Sequence, residues 1–172
     1  MTWTAPKISR RAEPGIVAER EMLEGWLEYH RETLLLKCAG LTTEQLRERA
    51  VPPSTMSLLG LVRHLTDVER AWFRRRADHQ PVTYRWVRDD HEDADFDDVD
   101  TADPAEAFAA YAEEVELCRA AAARHGLDDT FLDGRGAERS VRWMYVHLIE
   151  EYARHNGHAD LLRERVDGSV GD

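Results

Sequence analysis

The residue types best suited to chemistry gather near the C-terminus, where His147, Glu151, His155 and His158 follow one another at spacings of four, four and three. On a helix turning about 100° per residue, these four side chains fall within an arc of roughly 80°. Met144, Leu148 and Leu162 share that face, so the polar cluster continues an apolar stripe and turns inward. An ionised glutamate buried without a partner costs several kcal/mol, so Glu151 requires a cation or hydrogen-bond donors.

A divalent metal meets that requirement. Imidazole nitrogen and carboxylate oxygen suit zinc, nickel or iron, and residues four apart on a helix can converge on one ion. A third ligand is available in His64, which lies three residues after Leu61 and four before Val68, on the inward side of an earlier helix. A site of His64, Glu151 and His155 leaves a position open for water or substrate, as a catalytic ion needs. The plainer account is a hydrogen-bonded His–Glu pair in the core with no ion. His147 and His158 either steady a ligand's orientation or lie at the surface edge of the arc. His30 points inward on the first helix and reads first as a satisfied core histidine, with a supporting role at the site as the alternative.

These residues need helices to position them, and four segments carry helical periodicity while none alternates convincingly as a strand. The first runs from about Ile16 to Ala39, with Leu23, Trp26, Leu27, His30, Leu34 and Cys38 on its stripe and Gly40 at its end. A short piece, Thr43 to Ala50, is stopped by Pro52 and Pro53. Ser57 caps the second long helix, whose stripe is Leu58, Leu61, Leu65, Val68 and Trp72 and which Gly60 weakens slightly. Asp103-Pro104-Ala105-Glu106 opens the third, which Gly126 stops, and Ser140 caps the fourth, which ends before Gly168. The expected fold is all-α: a single-domain four-helix bundle with its core over about 16–168 and a long crossover between the second and third long helices. That crossover, from Asp78 to Thr101, includes DDHEDADFDDVD and reads as a solvated connection or a lid. It is no calcium loop, because Asp98 and Pro104 stand where a glycine and a bidentate glutamate are required.

Charge and composition restrict the rest. With 23 Lys and Arg against 34 Asp and Glu, the formal charge of −11 opposes nucleic-acid backbones. No apolar stretch reaches the roughly 20 residues of a membrane span, and the N-terminus lacks a signal peptide's apolar core, so a cytoplasmic location is expected. Cys38 and Cys118 fall on apolar stripes, where burial disfavours the thiolate, so neither is a candidate nucleophile. No phosphate-binding glycine loop, nucleophile elbow or H-E-x-x-H helix occurs.

The segments SLLGLVRHLTDVERAWF and VHLIEEYARHNGHADLLRE, with the PPSTMS turn before the first, resemble the DinB-like superfamily, and within it the mini-circle or mycothiol-dependent branch. The likeness runs from about Val17 to Gly168. It implies a metal-binding four-helix bundle, frequently a homodimer. The family's ligand pattern falls on His64, Glu151 and His155, with Asn156-Gly157 as the trailing pair; Glu151 stands where many members carry His and resembles the E-x-x-x-H form of mycothiol-dependent maleylpyruvate isomerases. The expected cofactor is a divalent ion, zinc or nickel foremost, and the expected co-substrates are a low-molecular-weight thiol such as mycothiol or bacillithiol and an electrophile. Three activities fit this frame: a thiol transferase or isomerase acting in detoxification, a hydrolase using metal-bound water, and a non-catalytic, stress-associated metal-binding bundle.

Overall fold

The computed structural model describes residues 3–171 and is mostly helical. Helix α1 (Glu19–Cys38) starts later than its periodicity suggests, because Ile16 projects fully into solvent after Pro14-Gly15. Without a side-chain cap, it opens on Glu19 and Glu21, whose charges suit a helix N-terminus. Gly40, at φ 77°, turns the chain out of it. Helix α2 (Thr43–Arg47) opens on a reciprocal cap between Thr42 and Gln45.

Helix α3 (Leu58–Glu69) begins at Ser57, whose Oγ accepts the Gly60 N–H at 3.1 Å. Gly60 has a tertiary reason: a Cβ there would lie 2.7 Å from the Phe96 ring, so glycine lets the crossover approach the helix. The helix continues as a π-helical stretch, Arg70–Ala77, closed by a bond from the Asp78 N–H to the Phe73 carbonyl.

The crossover corrects the sequence reading. Instead of a solvated loop it carries helix α4 (Ala94–Asp97) and a 3₁₀ turn (Asp98–Asp100), with Ala94, Asp95 and Val99 buried. Its earlier part is tied down by Asp67, whose carboxylate accepts the backbone N–H groups of Arg85, Trp86 and Val87 at 2.6, 2.8 and 3.1 Å. An acidic run reads as solvated from composition alone, but here the stretch before it is tied to Asp67 and the run itself turns Ala94, Asp95 and Val99 into the core.

Helix α5 (Pro104–Ala122) starts at the expected Asp103 cap and Pro104, and ends before Gly126. A short antiparallel hairpin follows, β1 (Thr130–Leu132) paired with β2 (Glu138–Ser140), at a place where the sequence suggests only turns. Three residues per strand are too few for alternation to show, and the buried Phe131 between exposed neighbours is its one trace. Helix α6 (Val141–Asp167) runs from the Ser140 cap to Gly168. It lies along α1, and α3 packs against both α5 and α6.

One hydrophobic cluster unites these elements, with Leu27, Leu34, Leu61, Leu65, Met144 and Leu148 fully buried. Threaded through it is a polar network that periodicity does not reveal. Arg31 donates twice to Glu69 at 2.6 Å and once to Glu28 at 2.5 Å, Tyr152 donates to Glu69 at 2.9 Å, and the Tyr111 and Tyr152 hydroxyls pair at 2.9 Å. Among the described residues, no helix is long and apolar enough to cross a membrane.

Candidate metal centre between α3 and α6

Helix α6 presents Met144, Leu148 and Leu162 to the core, and the same face carries His147, Glu151 and His155. His64 faces them from α3, its ring centroid 4.8 Å from that of His155. One ligand atom from each of His64, Glu151 and His155 lies within 4.8 Å of the others, so the three could hold a metal ion. Within the set, His155 Nε2 is 3.6 Å from Glu151 Oε2.

The crossover fixes His64. Its Nδ1 lies 2.8 Å from Oδ2 of the buried Asp95, and the Phe96 ring packs at 5.1 Å between centroids. As an acceptor for the Nδ1 proton, Asp95 favours the tautomer that presents Nε2 as the lone-pair nitrogen. Sequence reasoning passed over Asp95. Its one signal was the acidic run, in which nothing separates a buried carboxylate from solvated ones.

His155 is largely buried. Burial first, then the neighbouring His64 and His158, push its pKa down to about 4, so it is neutral with a free lone pair at pH 7. His158 touches it at 3.4 Å between Nδ1 atoms. The next residue along the chain, Asn156, donates to the His30 carbonyl at 3.0 Å and anchors this turn of α6 to α1. His30 itself packs between Trp26 and Tyr29, and burial lowers its pKa. It sits among aromatic rings of α1, with its Nδ1 3.4 Å from the Asn156 side-chain nitrogen.

His147 occupies the far edge. It stacks on Trp143 at 4.9 Å, meets Trp72 at 4.6 Å, and its Nε2 is 3.8 Å from Glu151 Oε1. With Glu150 and Glu151 it makes a second group of closely spaced ligand atoms. Glu150 is exposed and bonded to Arg154, and this group draws on one helix alone. The set with His64 offers two oriented nitrogens and a carboxylate from two helices, a donor set that suits zinc, nickel or iron.

Two cavities flank the three residues. One, of about 480 Å³, reaches His64, Asp95 and Phe96; the other, of about 620 Å³, reaches His147 and Glu151; Trp72 and Arg76 line both. A separate cleft of about 680 Å³ beside Glu28 and Arg119 contains none of the three. Both cysteines are fully buried, and burial raises the Cys38 thiol to about 12 and the Cys118 thiol further.

Comparison with protein families matches residues 22–168 to the family described as Mycothiol-S-transferase. Among curated proteins and solved structures, nothing matches the chain.

Proposed function

The chain belongs to the mycothiol-S-transferase family, and from that premise we propose that it is a divalent-metal-dependent enzyme joining a low-molecular-weight thiol of the mycothiol kind to an electrophilic carbon. The observation that carries this reading is the convergence of His64, Glu151 and His155 from two helices, with Asp95 orienting His64, between two cavities.

The four long helices, α1, α3 with its π-helical extension, α5 and α6, are read as the family's four-helix bundle, with α4 and the crossover closing one end of the site. His64, Glu151 and His155 would hold the ion, zinc or nickel foremost. When bound, a dication lowers the pKa of a thiol that reaches it and so favours the thiolate that attacks electrophiles. The chain's own residues prepare for this. Asp95 favours the tautomer that leaves the His64 Nε2 free, burial keeps His155 neutral, and Trp72 lines both cavities beside the site. Two cavities suit two substrates. In the transfer, a C–S bond replaces the S–H bond and the electrophile's bond to its leaving group, which departs with its electron pair and takes the proton. No oxidant or reductant is required.

Elemental analysis of the purified protein, together with assays of thiols against electrophiles before and after chelation, tests the reading. About one divalent ion per chain and thiol-dependent turnover lost on chelation are expected. Turnover that persists in metal-free protein overturns it.

A further inference from the structure

Acids outnumber bases in this chain by 34 to 23, yet one half-buried arginine beside the site has no acid of its own. Arg70 and Arg74, on the same π-helical stretch, are both paired with the buried Glu114. The Arg76 side chain makes no hydrogen bond or ion pair with the described residues. Its guanidinium lies over the Trp72 ring at 4.2 Å, and the hairpin backbone closes on it so tightly that a Cβ at Gly134 would stand 3.0 Å from Nη2. The nearby acid, Asp133, is already engaged: it accepts from the Arg135 and Ala137 N–H groups at 2.8 and 2.9 Å and pairs with Arg139 at 3.2 Å. Burial disfavours the Arg76 charge, and the nearby Tyr84 and Asp133 offset that only in part.

From Arg76 an aromatic wall, edge-on at Trp72 and His147 and stacked at His147 and Trp143, leads to the candidate ligand Glu151. Trp72 meets His147, His147 stacks on Trp143, and Arg139 covers Trp143 at 4.6 Å. This wall lines the cavity of about 620 Å³ that ends at Glu151. Arg76 also borders the cavity on the His64 side, but there Asp67, Asp89, Glu92, Asp93 and Asp95 outnumber Arg76 and Arg88 and disfavour an anion. A guanidinium with free, forked N–H donors is matched by a carboxylate, and aromatic faces are matched by a planar body.

We propose that Arg76 and Trp72 form the subsite that receives the carboxylate of a planar, anionic electrophile in the cavity on the Glu151 side. The assignment to the electrophile rests on the two-substrate reading above; the anion subsite does not. The His64 side is left for the thiol.

Calorimetric titration of the purified protein with cinnamate and with cinnamyl alcohol tests this. Cinnamate should bind at least about tenfold more tightly; R76Q should abolish the preference and R76K should retain part of it. Equal binding of the two compounds to the parent protein overturns the subsite, and that result needs no variant to fold. A preference that survives in natively folded R76Q also overturns it, because the carboxylate is then held elsewhere, for instance on the metal. Displacement of cinnamate by a saturating thiol overturns the assignment to the electrophile and gives the anion subsite to the thiol. Arg76-dependent binding of cinnamate in a protein that turns over no thiol–electrophile pair supports the subsite and refutes the S-transfer reading.

Discussion

Nδ1 of His64 lies 2.8 Å from Oδ2 of Asp95, and this contact joins the candidate metal centre on α3 and α6 to a carboxylate from the crossover. It turns a run of acidic residues into part of the site, since Asp95 is buried while its neighbours Asp93 and Asp97 are exposed.

Replacing Asp95 with alanine should therefore weaken metal binding without removing a ligand. Loss of the carboxylate behind a metal-bound histidine lowers affinity about 10–100-fold. Chelator competition on the purified variant gives the number. Parental affinity would mean that Asp95 only packs the crossover.

The ligands themselves should separate by chemistry. His155→Ala should abolish stoichiometric metal while keeping the helical spectrum, because the side chain sits at the site's edge of the core. Glu151→Gln removes the charge and should reduce retention, whereas Glu151→His supplies a nitrogen donor at the same place and should largely keep it. Metal content of the three variants after dialysis checks this; equal retention by Gln and the parent would reduce Glu151 to a hydrogen-bonding group.

A Cys38→Ala, Cys118→Ala double variant should keep any thiol-dependent activity. Both thiols are fully buried and held well above their ordinary pKa, so neither supplies a nucleophile at neutral pH. The two small cavities should cost about 1–3 kcal/mol in denaturant unfolding. Loss of turnover with fold and metal content intact would assign the chemistry to a protein thiol.

Acid should weaken the fold through Glu28. Burial raises its pKa, but the hydrogen bond from Arg119 and the charge of Arg31 outweigh that and hold it below the ordinary 4.5. A depressed carboxylate contributes stability above its unfolded pKa and loses it as pH falls through the folded value. Glu28→Gln should thus destabilise by about 1.5–3 kcal/mol at pH 7, and its deficit against the parent should shrink toward pH 3. Urea unfolding at both pH values measures the difference; a deficit that does not change with pH removes Glu28 from the acid response.

Much of the local structure was legible in the sequence. Ser57, Asp103, Ser140 and Gly168 mark helix ends because capping depends on residues within one turn, and the inward face of α6 follows from a 3.6-residue period. The same period set His64, Glu151 and His155 facing inward. It could not show that two helices bring them within 4.8 Å, or that Asp95 leaves an acidic run to meet His64. Nothing along the chain links Arg31 to Glu69, 38 residues apart, until packing buries both and pairs them. Arg76, one of three consecutive arginines, differs from the other two only by what surrounds it: Arg74 has Glu114, Arg75 lies exposed beside Tyr84, and Arg76 has Trp72 and a glycine. Capping and periodicity are short-range and written along the chain. Which buried charges find partners is decided by side chains far apart in sequence, so only the tertiary structure decided it.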